Sequence, residues 1–243
     1  MALEDRIAAV DALLTRAQRE YAPAAFASSF GAEDMVLTDI IGKRFPEIEI
    51  FTLDTGRLPE ETHRLMQAVG ERYPIKVRVY VPDSGVLEQH LIEHGANAFY
   101  RSVELRKRCC HIRKVEPLKR ALAGKRAWIT GLRRDQALSR TDLPADGYDA
   151  DNGLYKFSPL VDWTQADVWE YIRRFEVPYN ALHDRGYPSI GCAPCTRAIT
   201  VGEDIRAGRW WWENADGKEC GLHARPPGQG VSAQANPRLA GIK

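Results

Sequence analysis

Ala24-Ala25-Phe26-Ala27-Ser28-Ser29-Phe30-Gly31-Ala32-Glu33-Asp34-Met35-Val36-Leu37-Thr38-Asp39-Ile40-Ile41 is the stretch that decides the fold. Its first five residues form a short apolar run of the length of a buried strand. The run breaks at Ser29-Phe30-Gly31 and passes straight into a helical stretch over 32–41. The alternation recurs downstream. Residues 48–53 read as a second strand, closed by Asp54-Thr55-Gly56 and followed by a helix that Pro59 opens. Residues 77–81 and 126–130 read as a third and a fourth, the last ending at Gly131. Ahead of them Leu3, Ile7, Val10, Leu13 and Leu14 recur at helical spacing, which predicts an amphipathic opening helix. Strands alternating with helices imply an α/β fold with a doubly wound, mostly parallel sheet. Such sheets bind ligands beyond the carboxyl ends of their strands. Here those ends carry residues 28–31, 53–56 and 131–134.

The later chain is less regular. Residues 142–153 are polar and turn-rich and read as a loop, whereas 163–175 read as a helix with Thr164 as N-cap and Asp167 completing a capping box. After Asp184 the pattern dissolves into loops around a cysteine pair. From Ala224 onward Pro, Gly, Gln and small residues dominate, so the expected organisation is one domain over 1–223 and a flexible tail over 224–243. No internal repeat is present.

The 243 residues suffice for one substantial core, with 44% hydrophobic and 28% charged residues. A net charge of +1 gives no general basic surface, so neither nucleic acid nor an anionic membrane is an expected partner. No apolar run approaches the roughly 20 residues a membrane span needs. The first residues include Glu4, Asp5 and Asp11, unlike a secretory signal, so a cytoplasmic protein with reduced thiols is expected.

Five cysteines in that compartment favour metal binding or catalysis over a disulfide framework. Four form two local pairs, Cys109-Cys110 and Cys192-Ala193-Pro194-Cys195, and Cys220 stands apart. Cys-x-x-Cys suits two ligands of one metal centre. Adjacent cysteines make a poor disulfide and an unusual zinc pair, while the wider corners of a 4Fe-4S cluster are within reach of a helical Cys-Cys. Structural zinc and unligated thiols remain alternatives at this point. Lys218, His223 and Arg225 surround Cys220 and favour its reactive thiolate, against which stand Glu219 and the plain alternative of an inert surface thiol.

Basic residues gather at three further places. Residues 106–114 contain Arg106, Lys107, Arg108, Arg113 and Lys114; Arg133, Arg134 and Arg140 follow a strand end; and Arg206 and Arg209 lie three apart, on one side if that segment is helical. Guanidinium forks match phosphate or sulfate oxygens, and the turn at 28–31 can aim backbone N–H groups at an anion. Solvated charge and an ordinary tight turn are the plainer readings. Together, around one pocket, these groups suit a multiply anionic nucleotide.

With these residues in view the chain resembles the assimilatory adenylyl-sulfate reductases, sulfonucleotide reductases of adenine nucleotide α-hydrolase type. The resemblance runs through Ser29-Phe30-Gly31-Ala32-Glu33-Asp34, Leu53-Asp54-Thr55-Gly56-Arg57, Cys109-Cys110-His111-Ile112-Arg113-Lys114, Gly131-Leu132-Arg133-Arg134-Asp135-Gln136, Gly191-Cys192-Ala193-Pro194-Cys195, Arg206-Ala207-Gly208-Arg209-Trp210 and Lys218-Glu219-Cys220-Gly221-Leu222-His223. It implies thiol-dependent reduction of adenosine 5′-phosphosulfate to sulfite and AMP, with Cys220 as nucleophile. It further implies that Cys109, Cys110, Cys192 and Cys195 hold a 4Fe-4S cluster and that Lys114 lies between cluster and sulfate. Arg140, Arg206 and Arg209 would bind the phosphosulfate; Ser28, the Leu53 backbone and Gly131 would line the nucleotide pocket. Ser29, Gly31, Arg133 and His223 complete the expected substrate-binding set. Thioredoxin or glutaredoxin is the implied reductant, and a homo-oligomer stays open. Relatives with pyrophosphatase activity carry Ser-Gly-Gly-x-Asp-Ser; Phe30 in place of a glycine and Met35 after Asp34 argue against pyrophosphate cleavage here. Two alternatives remain: a reductase of 3′-phosphoadenosine 5′-phosphosulfate, and a zinc-stabilised nucleotide- or RNA-binding protein.

Overall fold

The structure, a computed structural model, describes residues 2–136 and 141–213. Arg140, Cys220, His223 and the tail expected over 224–243 lie outside the described residues. After α1 (Leu3–Glu20), the chain alternates as the sequence predicts: β1 (Ala24–Ala27), α2 (Ala32–Arg44), β2 (Glu49–Leu53), α3 (Glu60–Arg72) and β3 (Arg78–Tyr80). Three helices then intervene, α4 (Ser84–His94), α5 (Val103–Cys110) and α6 (Glu116–Leu122), before β4 (Ala127–Ile129). Helical crossovers force parallel pairing, and these four strands lie side by side in the order β3-β2-β1-β4.

Residues 142–153, expected as a loop, instead contain β5 (Asp146–Asp149), which pairs antiparallel with β6 (Leu154–Phe157). β6 runs parallel to β4 and completes a six-stranded sheet with β5 at its edge. The sequence Asp-Gly-Tyr-Asp carries no apolar alternation because none of this edge strand is fully buried; besides its ladder with β6, Arg16 donates to Asp146 at 2.7 Å and Trp128 Nε1 donates to Asp149 at 3.0 Å. The helix read over 163–175 is α7 (Gln165–Arg174). Its capping box is formed: Asp167 N donates to Thr164 Oγ1 at 3.2 Å, and Thr164 N donates to the Asp167 carboxylate at 2.7 Å.

The main core lies where α2 and α7 cover one face of the sheet. α2 buries ten of its 13 residues. Two of them are carboxylates, Asp34 and Asp39, and the partners of Asp39 explain why it is tolerated. Asp39 accepts hydrogen bonds from Tyr73 Oη at 2.7 Å and Tyr171 Oη at 2.9 Å, and pairs with Lys43. A buried carboxylate so satisfied ties α2, the end of α3 and α7 together.

Between α5 and α6 the helix neither stops nor continues regularly. Residues His111–Val115 form a π-helical turn directly after Cys110. The wider turn re-aims Arg113 and Lys114 relative to the cysteines, a distortion often found at functional sites.

Candidate active site

A cleft opens beyond the carboxyl ends of β1, β2 and β4. The chain leaves β1 toward β2 on one side and returns to β4 on the other, so this is the switch point of the sheet. Ser28, Ser29 and Gly31 line it from the turn after β1, Leu53 from β2 and Gly131 from the turn after β4. Lys114 reaches it from the π turn, and Arg206 and Arg209 from the last described segment. One helix explains the first three: Gly31 is the N-cap of α2, and the chain makes the turn with Phe30 at φ 59, buried, in the left-handed region.

The turn itself departs from the sequence expectation. Ser29 N and Ser29 Oγ both donate to Asp34, each at 2.6 Å, and Phe30 N donates to Ser28 Oγ at 3.3 Å. Two of the N–H groups expected to greet an anion are thus turned onto the protein's own side chains. Asp34 is the residue that sequence reasoning quoted but gave no role. It is buried, accepts a further hydrogen bond from the Gly131 backbone, and has its pKa pushed up to about 6. Burial is the main cause; the Ser29 and Gly131 bonds oppose it, and neighbouring Glu33 adds to it. A Cβ on Gly131 would overlap the Asp34 carboxylate, so that glycine is required by close approach.

Arg133, expected among the substrate-binding residues, lies behind the wall of the cleft. Its guanidinium is 1% exposed and is bonded to Glu33 at 2.8 Å, Asp135 at 3.1 Å and the Trp163 carbonyl at 3.1 Å. The segment with Arg206 and Arg209 is a run of turns and no helix. Two backbone hydrogen bonds, Arg197 N to Gly208 O at 3.0 Å and Trp210 N to Cys195 O at 3.1 Å, hold it against the cysteine loop and make an antiparallel bridge between Thr196 and Arg209. Arg209 passes over Gly191, where a Cβ would overlap its guanidinium, and donates to Ser189 Oγ at 3.3 Å.

The two cysteine pairs lie beside Lys114 and Arg209, which line the cleft. Cys109 and Cys110 close α5, while Cys192 and Cys195 sit on a loop tied down from three sides. Ala193 N donates to Arg57 O at 2.8 Å, Tyr100 Oη donates to Pro194 O at 2.8 Å, and Thr55 Oγ1 lies 3.2 Å from Cys192 Sγ. All four are free thiols. They are near enough to act on one another. Burial pushes Cys195 up to about 12, with Cys192 and Cys110 pushing the same way and Lys114 and Arg209 opposing. Burial also raises Cys109, against the pull of Arg113. Lys114 therefore faces the cleft and acts on a thiol at once. Among the described residues no three His, Cys, Asp or Glu side chains are grouped to hold a single metal ion. Among the described residues two buried donors, Arg113 Nε and Trp210 Nε1, have no hydrogen-bond partner.

Comparison with known proteins fits this geometry. The fold, a mostly parallel six-stranded α/β sheet, is shared with nucleotide-using enzymes. The chain superposes on an NH3-dependent NAD synthetase from Campylobacter jejuni with a TM-score of 0.54 at 10% identity, covering 77% of this chain and 79% of that one. The phosphoadenosine phosphosulfate reductase domain matches residues 23–198, and the chain belongs to that family. It is 56% identical over 223 residues to an adenosine 5′-phosphosulfate reductase of Allochromatium vinosum, covering 92% of this chain and 87% of the relative. A reductase with the same description from Burkholderia cepacia is 53% identical, over 91% and 88%. The solved phosphoadenylyl-sulfate reductase from Candida auris aligns with a TM-score of 0.67 at 30% identity, over 78% of this chain and 90% of that one. The protein is an oxidoreductase. No helix among the described residues is long and apolar enough to cross a membrane.

Proposed function

We propose that this enzyme reduces adenosine 5′-phosphosulfate to sulfite and AMP in sulfate assimilation, with Cys220 as nucleophile and a 4Fe-4S cluster on Cys109, Cys110, Cys192 and Cys195. The observation that carries the reading is the approach of both cysteine pairs to Lys114, which lines the cleft at the switch point of the sheet. The donor set fits the cluster. Electrostatic influence links the thiols of both pairs, and Arg113 Nε, a buried donor beside Cys109 with no partner among the described residues, suits a cluster sulfur. When bound, the cluster supplies a fixed charge beside the sulfonyl group and a covalent tie between the two loops.

The protein's own groups do the rest. The Leu53 and Gly131 backbones flank the nucleotide, and Asp34 fixes Ser29 against Gly131. Arg206, Arg209 and Lys114 neutralise the phosphosulfate, whose leaving AMP carries charge that they stabilise as it develops. The Cys220 thiolate attacks the sulfonyl sulfur; the S–O bond to the phosphate breaks and AMP departs, leaving S-sulfocysteine. A thiol of an external dithiol protein then attacks Cys220 Sγ and expels sulfite, and the partner's second thiol resolves the mixed disulfide. The dithiol supplies both electrons. With its four other thiols committed to the cluster, the chain needs such a partner, and thioredoxin or glutaredoxin fits the chemistry. This work takes place in a reducing compartment, the cytoplasm.

Purified anaerobically, the enzyme is expected to be brown. Its Cys220→Ser variant is expected to keep that colour and bind nucleotide while forming no sulfite. A colourless, zinc-containing protein without thiol-dependent activity would establish the binding-protein alternative. Higher catalytic efficiency on the 3′-phosphorylated nucleotide would move the assignment to that substrate.

A further inference from the structure

Arg106 lies three residues before Cys109 and is the one residue of α5 that is buried. At 1% exposure it is a guanidinium inside the protein, and two of its contacts bear on the cleft. It forms a fork to Glu213, with Nε to Oε1 at 3.0 Å and Nη2 to Oε2 at 2.8 Å, and the Glu213 side chain is itself 7% exposed. Its face lies over the Trp210 ring, 4.8 Å from the centroid. Arg209 also lies over the Trp210 ring, 4.9 Å from the centroid. One indole thus contacts two guanidiniums, of which one is neutralised by a buried carboxylate and the other lines the cleft.

Trp210 occupies this place at a conformational cost. Its φ is 42, a left-handed backbone for a bulky residue, and its side chain is buried to 1% exposure. Such a backbone persists only where its surroundings over-determine it. The surroundings here are Arg106 with Glu213, and the Cys195 carbonyl that accepts from Trp210 N. The neighbouring residue, Arg209, inherits the resulting position over Gly191.

We propose that Arg106, fixed by Glu213, is a positioning residue for the anionic end of the substrate, acting through Trp210 on Arg209. It makes the placement of a cleft cation depend on the helix that carries the first cysteine pair. The inference rests on reading the cleft as a sulfonucleotide site and adds a residue that does not line it. Charge alone does not suffice for this role. The fork to Glu213 and the flat face over Trp210 both need a guanidinium, so lysine replaces it incompletely.

The test is calorimetric titration of the full-length, iron-loaded protein with two probes, ADP, whose β-phosphate stands in for the sulfonyl group, and adenosine, which lacks both anions. Arg106→Met is expected to weaken ADP about tenfold, the weight of a desolvated cation–π contact, and adenosine less than about twofold. Arg106→Lys should recover part of the loss, and Glu213→Gln should follow Arg106→Met with a smaller effect. Arg106→Met combined with Arg209→Ala should add little to Arg209→Ala alone, as expected of residues acting in series. Equal weakening of both probes, or additive losses in the double variant, would leave Arg106 a merely structural residue and overturn the proposal. If Arg106→Met does not fold, Arg106→Lys and Glu213→Gln decide by the same ADP-to-adenosine ratio. An unchanged ADP affinity in Arg209→Ala would instead bring down the reading of the cleft, and this inference with it.

Discussion

α2 begins at a functional turn and α5 ends in one, yet they are held in opposite ways. α2 buries ten of its 13 residues against the sheet and α7, and apolar burial fixes the Ser28–Gly31 turn before any ligand arrives. α5 buries Arg106 alone of its eight residues. The sulfur side of the cleft is assembled from a buried ion pair, backbone bonds to the 192–195 loop and two donors without a partner among the described residues. The nucleotide side is thus preformed by its core. The sulfur side depends on charge pairing and, in the proposed holoenzyme, on iron.

Breaking the sulfur side is expected to have the largest effect. Cys192→Ser should lose the visible absorption and sulfite formation together. Hydrogen exchange should then rise over 103–115 and 186–213 while α2 stays protected; uniform loss of protection would erase the contrast. Breaking the nucleotide side is costly in a different quantity. Phe26→Ala removes a fully buried ring from β1 and should cost about 3–5 kcal/mol in urea unfolding, with iron content retained. Gly131→Ala should cost about 1–3 kcal/mol, as overpacking does, and should weaken nucleotide binding by displacing Asp34. Normal affinity in that variant would deny Asp34 its part in the turn.

The smallest effect sharpens the comparison by pH. The folded-state pKa of Asp34 is raised from 3.8 to about 6, so the folded protein binds this proton more readily than the unfolded chain. Its contribution to stability is most favourable below pH 4 and declines as pH rises toward 6. Asp34→Asn should remove that component from a pH series of urea midpoints. A series that rises through the same window and is unaltered by the substitution would contradict it.

The difference between the two sides also governs what the sequence discloses. The first four strands and α7 are legible because apolar runs and a capping box encode them locally. β5 is not, since an exposed edge strand has no apolar face to announce it. Among site residues, those near strand ends could be placed by the sheet's topology, and the cysteine pairs by their spacing. Arg133 could not be placed from the sequence, because a buried guanidinium and a ligand-binding one are the same letter; only Glu33, a hundred residues away, distinguishes them. Asp34 and Arg106 were visible as residues and silent as roles, because each acts through partners that the fold alone brings near.

The central claim divides the sulfur atoms into four that hold iron and one that reacts. Peptide mass spectrometry of the enzyme, quenched after one encounter with adenosine 5′-phosphosulfate in the absence of thiol, tests it most directly. The account predicts one added SO3 group on the peptide containing Cys220 and none on those containing Cys109, Cys110, Cys192 or Cys195. An adduct on any of those four, or sulfite release with Cys220 unmodified throughout, would contradict it.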